Sequence, residues 1–397
     1  MTGAEASVTS ASSRKPAGNA QRRIAVTILF ALVALAGLLL VYTIGTQGAA
    51  VPIAMLVGLV AYAILGVAYW WAFTKVPYFA PVARKPRWLA FFWGAAAVGL
   101  LAGSAESQLP VVLTASSTTV QGLLGAVTAG VLEETIKGLG ILAVFLLIQR
   151  PRTLVDGFVI GATVGLGCEL MEDLAYVASG TWMSGTDSPA SYLPVIATRA
   201  VTSLSSHWVY SGIVGVGLAY VYCAKWADGR RRVAVLVGCI ALAICGHALF
   251  DAVTTLLGNI RAPGGHGVAH YLGGLLGWAL LGVLAAAIFA VALLVIRWAR
   301  NREGEFYVTY LVRAGSRPLP EEHLRALPQG VTRRKQRQAA AQGLSDRDAR
   351  RNVQRAVRAL HRAAASVAVA VATGDAAAES AARSEMAERT TALAEAP

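Results

Sequence analysis

The sequence predicts an all-α polytopic membrane protein with about eight transmembrane helices, both termini in the cytoplasm and a basic cytoplasmic tail. Three observations predict it. The 397 residues are 56% hydrophobic and only 14% charged, with mean hydropathy +0.56, too little charge to coat a soluble domain. Apolar stretches of about 20 residues recur, the length that crosses roughly 30 Å of hydrocarbon. The connecting loops alternate between basic and nearly uncharged.

Residues 1–23 form a polar N-terminal tail carrying Arg14, Lys15, Arg22 and Arg23. The apolar segment that follows is longer than the core of a signal peptide and more spans succeed it, so it reads as a first anchor. The predicted spans are 24–44, 51–73, 88–104, 119–148, 154–178, 200–224, 233–257 and 268–298. Lys75, Arg84, Lys85 and Arg87 occupy one loop, Arg150 and Arg152 a second, and Lys225, Arg230, Arg231 and Arg232 a third. The intervening loops hold only Arg199 and Arg261. The positive-inside rule then places both termini of a multi-pass membrane protein in the cytoplasm.

Residues 24–298 are read as the membrane domain and 299–397 as a basic cytoplasmic tail, partly helical and partly disordered. Eighteen of the 35 Lys and Arg lie from Arg297 onward. Such a balance suits an anionic lipid surface, and no aromatic-basic platform accompanies it to suggest nucleic acid. Val353, Val357 and Leu360 fall at helical spacing among arginines, so 345–366 reads as an amphipathic helix on the inner leaflet or as a solvated tail. Cys168, Cys223, Cys239 and Cys245 form no CxxC pair and read as packed thiols.

The chemistry lies in charges placed in the wrong solvent. A carboxylate at the bilayer centre costs about 2.5–3.5 kcal/mol on insertion scales. Of eleven Asp and Glu before the tail, seven fall in predicted spans: Glu133, Glu134, Asp156, Glu169, Glu172, Asp173 and Asp251. His207, His247 and Lys137 join them. Helical spacing lets Lys137 reach Glu133 (i+4) or Glu134 (i+3), pairs Glu172 with Tyr176, and pairs His247 with Asp251. Arg199, Ser203, His207 and Ser211 make a polar stripe down the sixth predicted span. At 1.5 Å per residue, Glu133, Glu172, His207 and His247 sit about 9–21 Å below the outer surface, where they can meet in one cavity. Asp156, close to Arg150 and Arg152, reads as an interfacial charge. His266 and His270, in or beside the outer loop, and His323 and His361, in the tail, read as solvated.

Water attack on an amide needs a base, a group that polarises the carbonyl and an acid for the leaving amine. These residues allow two routes. In one, His207, His247 and a carboxylate hold Zn²⁺ and another glutamate is the base. In the other, Glu133 or Glu134 activates water without a metal and the histidines donate to the oxyanion. The HExxH spacing of soluble zinc proteases is absent. A serine route through Ser203, Ser205 or Ser206 lacks a GxSxG-like turn. Two other classes would use the same charges. A proton- or cation-coupled transporter would show ion-dependent flux and no peptide cleavage. A non-catalytic scaffold or immunity protein would keep its phenotype in Glu133→Gln, Glu134→Gln and His247→Ala.

The ordered blocks resemble a known family. Glu133-Glu134-Thr135-Ile136-Lys137 is similar to the EExxK signature of the PrsW family of bacterial intramembrane proteases, relatives of the CAAX prenyl proteases and bacteriocin-immunity-type membrane proteases. Asp156-Gly157, Gly161, Gly167, and Glu172 with Tyr176 follow in order. His207 with Gly212, and the closing His247-Ala248-Leu249-Phe250-Asp251, complete a motif core over 120–255. Asp173 stands where the family usually has Asn, and Cys168 where an aromatic is common.

The resemblance implies an intramembrane endopeptidase of metallo-type or glutamic type. Its partners would be the lipid bilayer and membrane protein substrates, with site-one cleavage of an anti-sigma factor among the expected roles. Glu133 and Glu134 would be base and site carboxylate, with Lys137 holding one of them. His207 and His247 would be metal ligands or oxyanion donors, Glu172 a third ligand or an acid, and Asp251 the partner that orients His247. Zn²⁺ stays open at this stage, as do the individual roles of Glu169 and Asp173.

Overall fold

A computed structural model describes residues 19–77, 82–104, 117–224, 227–260 and 268–313, and in the tail 363, 366–367, 370 and 376–394. The start of the N-terminal tail, His266, His323 and His361 lie outside them, as does the predicted tail helix 345–366 except at Ala363 and Ser366.

Every element is helical among the described residues. The helices are α1 (Asn19–Gly48), α2 (Pro52–Phe73), α3 (Arg84–Ser104), α4 (Thr118–Ala143, continued by a π turn Val144–Ile148) and α5 (Leu154–Met183). They continue as α6 (Pro189–Thr202), α7 (His207–Cys223), α8 (Gly229–Ile260), α9 (Val268–Arg313) and α10 (Ala376–Ala394). Among the described residues, six stretches are long and apolar enough to cross a membrane, one each in α1, α2, α3, α5, α8 and α9. α4 carries three ionisable residues in its middle and α7 has only 17 residues. Leu38, Val67 and Val283, on α1, α2 and α9, are 70%, 70% and 68% exposed. Apolar faces of that kind suit lipid.

α5 is the central element, and nearly every residue of its first half is buried. Thr153 caps it, accepting from Asp156 N at 3.3 Å, while Asp156 pairs with Arg152 at 2.8 Å. That pairing keeps Asp156 at the helix start, away from the other carboxylates. α7 lies directly on α5 because glycine lets the backbones touch. A Cβ on Gly161 would stand 2.0 Å from the Ser211 carbonyl oxygen, and one on Gly165 would stand 2.2 Å from that of His207. Small-residue stripes of this kind replace the missing hydrophobic drive between helices in lipid.

The structure differs from the predicted sixth span. Residues 200–224 are not one helix: α6 ends at Thr202, Ser203–Ser205 make a 3-10 turn, and α7 starts at His207. Serine and threonine hydroxyls compete for backbone carbonyls here, with Thr202 Oγ1 on Arg199 O and Ser203 Oγ on Ala200 O. The break would strand polar backbone in an apolar setting. The Ser203 carbonyl is instead paired twice, accepting from Tyr69 Oη and Trp208 Nε1 at 3.0 Å each. Trp208 is clamped in turn among Tyr69, Phe73, Phe158 and Phe289. His207 therefore heads a helix whose first turn is anchored on both sides. The polar stripe from Arg199 to Ser211 is split between two helices.

α3 contains a π turn, Trp93–Val98. Its Trp93 indole lies on Gly140 of α4 and donates to the Ile136 carbonyl at 3.0 Å. That contact fixes α4 one residue from Lys137. Helix α9 continues to Arg313, past the predicted span end at 298.

Candidate active site

α4, α5, α7 and α8 bring the sequence-selected residues together around Lys137, which is fully buried. The Lys137 ammonium lies 2.7 Å from Glu133 Oε2, 2.8 Å from Glu134 Oε1 and 2.8 Å from His207 Nδ1. Three N–H donors thus meet three acceptors. The pairing with His207 also assigns its tautomer. Nδ1 accepts from lysine, so Nε2 carries the proton and faces Glu172 Oε2 in a short contact.

His247 closes the cluster from α8. Its Nδ1 is 3.1 Å from Glu134 Oε1, and its Nε2 is 3.4 Å from Asp251 Oδ2 and 4.0 Å from Glu133 Oε2. The ring stacks on Tyr210, centroids 5.2 Å apart, and meets His207 edge-on at 4.9 Å. Asp251, one turn along α8, is placed to orient His247.

The two adjacent glutamates differ in setting. Glu134 is sealed between Lys137 and His247, and its Oε2 is buried without a hydrogen-bond partner among the described residues. Glu133 also touches Cys168, whose thiol donates to Oε2 at 3.7 Å. Glu133 and Glu172 both line a cavity of about 150 Å³ between α1, α3 and α5, and Glu134 does not.

Sequence reasoning left several positions without a role. Glu169 receives the start of α7, accepting from His207 N at 3.1 Å and from Ser206 Oγ in a very short contact. A carboxylate at a helix N-terminus also meets the positive end of the helix dipole. Arg199 of α6 gathers three carboxylates of α5: Asp173 at 2.5 Å, Glu172 at 3.3 Å and Glu169 at 3.7 Å. Tyr176 covers the guanidinium at 4.5 Å. The i, i+3, i+4 spacing of Glu169, Glu172 and Asp173 announces that acidic face. Nothing local announces that the arginine comes from a neighbouring helix. Tyr210 was signalled only by its place three residues after His207.

One donor atom each from Glu133, Glu134, His207 and His247 lies within 4.8 Å of the others. Two carboxylates and two imidazoles are chemically apt for Zn²⁺, and the unpartnered Glu134 Oε2 adds a spare donor. The set therefore fits a metal by chemistry, although Lys137 Nζ stands among three of its members. Glu172 falls outside the set, on the far side of the His207 ring.

Residues 84–273 match the family model described as PrsW family intramembrane metalloprotease. The matched region is similar to the PrsW family. It runs from the start of α3 into α9, just under half of the sequence, and contains every residue of the cluster. No curated protein and no solved structure matches the chain. The family-model match and the apolar helices support a multi-pass membrane protein with membrane protease activity, and suggest membrane protein substrates in a lipid bilayer.

Proposed function

We propose that the PrsW domain hydrolyses peptide bonds within membrane-spanning segments of protein substrates, with Glu133 activating the water. The observation that carries this reading is the difference between the two glutamates. Glu133 is the member of the EExxK pair that lines the cavity, whereas Glu134 is sealed behind Lys137 and His247.

In the proposed step, a water in the cavity attacks the scissile carbonyl carbon and passes a proton to Glu133. The C–N bond then breaks as Glu133 returns that proton to the leaving nitrogen. His247 presents Nε2 on the Glu133 side and is the donor to the developing oxyanion. Lys137 offsets the charge of both glutamates and holds their carboxylates apart. Glu172 fixes the His207 ring, and Asp251 fixes His247. A bound Zn²⁺ would be held by Glu133, Glu134, His207 and His247 and would supply carbonyl polarisation and a more acidic water. We favour the glutamic type, because Lys137 already places a positive charge among those donors.

We read the topology as eight crossings with both termini cytoplasmic, α4 and α7 joining the six apolar stretches. The alternation of basic loops supports it. Residues 24–298 would form the catalytic membrane domain and 299–397 a cytoplasmic tail, in the inner membrane of a bacterium. An anti-sigma factor is the substrate that the family resemblance suggests.

The test uses purified full-length protein in detergent with a single-span substrate, the cut mapped by mass spectrometry. A cut inside the membrane segment, lost in Glu133→Gln, supports the reading. Equal cleavage in wild type, Glu133→Gln and Glu134→Gln would refute it.

A further inference from the structure

The cavity beside Glu133 has more structure than water access requires. Its volume is about 150 Å³, and apolar cavities of about that size hold a benzene-sized group. Leu40 and Ile44 of α1 line one side. Gly99 and Gly103 of α3 line another, one helical turn apart. Met171 and Ala175 of α5 line the third. The polar end is made by Glu133 and Glu172, the two carboxylates that approach His207 from opposite ring nitrogens.

Two features set the size and polarity of an occupant. Small residues on α3 and α5 leave the space unfilled, and among the described residues nothing lies within 4 Å of where a Gly103 Cβ would stand. Polar groups are confined to the carboxylate end, so an acidic side chain entering the cavity would meet two like charges in a poorly solvated setting.

We infer that this cavity is the subsite for one apolar side chain of the substrate, leucine- to phenylalanine-sized, adjoining the bond that is cut. The inference rests on the protease reading for its link to cleavage. Occupancy of the cavity is measurable without it. A side chain seated between α1, α3 and α5 would bring its own backbone beside Glu133. That explains how a carboxylate inside a helical bundle meets a peptide bond.

The experiment has two arms. In the first, single-span substrates carry Gly, Ala, Leu, Phe or Glu at the residue adjoining the cut. The expected wild-type kcat/KM for Leu and Phe exceeds that for Gly and Glu by at least about 10-fold, the discrimination a hydrophobic pocket gives for 1–3 kcal/mol. Gly103→Leu, which grows into open space, lowers the Phe-to-Ala preference ratio about 10-fold, and Met171→Ala raises it. Unchanged ratios in both variants overturn the inference and leave the protease reading intact. In the second arm, a diazirine-bearing phenylalanine replaces that substrate residue and is photolysed with the Glu133→Gln protein. Crosslinks on Leu40, Ile44 or Met171 support the subsite, even if wild type proves not to cleave. Crosslinks confined to the outer faces of α2 or α8 overturn it.

Discussion

Lys137 and His207, seventy residues apart in sequence, meet at 2.8 Å between Nζ and Nδ1. The lysine belongs to the EExxK block and the histidine heads α7. Their contact makes the two blocks one unit, and it makes Lys137 the common partner of two glutamates and an imidazole.

Removing that cation should therefore be costly. Lys137→Met leaves Glu133 and Glu134 buried without their counter-charge, and breaking a buried pair costs about 3–5 kcal/mol. The expected outcome is a large loss of stability in detergent, read by thermal or denaturant unfolding. Lys137→Arg should not rescue it, since a planar guanidinium cannot replace a compact ammonium inside three converging acceptors. A Lys137→Met protein as stable as wild type would contradict the role.

Glu172 is expected to act through His207. Its Oε2 faces Nε2, the nitrogen that Lys137 leaves protonated. Glu172→Gln should lower kcat about 10–100-fold, the range for loss of a partner that orients a functional histidine. Nitrogen NMR of labelled histidine should show the His207 tautomer mixture broadened in the variant. Unchanged kcat would show that Glu172 has no share in ring orientation.

The glycine seam predicts where the bundle is brittle. Gly165→Ala would drive a methyl into the His207 carbonyl, 2.2 Å away. It should lower the Tm or prevent folding, and displace α7 from Glu169. Gly238→Ala, with nothing among the described residues within 4 Å, should be neutral or stabilise by up to about 1 kcal/mol. Equal effects from both would mean the seam is not as tight as the backbone distances imply.

The response to metal removal follows from Lys137. With an ammonium among the Glu133, Glu134 and His207 donors, cleavage should stay within about 2-fold after exhaustive chelation, well under the tenfold that 1.4 kcal/mol represents. Loss of cleavage on chelation and its recovery with Zn²⁺ would assign those donors to a metal.

Much of this site was legible in the sequence because lipid makes charge conspicuous. Glu133, Glu134 and Lys137 stand out in an apolar helix, and i, i+3, i+4 spacing pairs them without any coordinates. The same arithmetic failed between Arg199 and His207, since it assumed one continuous helix. Helical spacing carries no information about a 3-10 turn that depends on donors from Tyr69 and Trp208, far apart in sequence. Arg199 and Glu169 were opaque for a related reason. Their roles are set by contacts between helices, which the glycine seam permits and no local pattern encodes. Tail residues 376–394, whose Ala/Glu/Ser composition reads as disordered or marginally helical, form helix α10, with Glu379 and Arg383 paired at i, i+4.

The most direct test of the central claim compares single-turnover cleavage of one membrane-spanning substrate by wild type, Glu133→Gln and Glu134→Gln. Removal of a general base costs typically 10²–10⁴-fold. The account predicts a loss in that range for Glu133→Gln, with the variant still binding substrate. Cleavage by Glu133→Gln at the wild-type rate would contradict it.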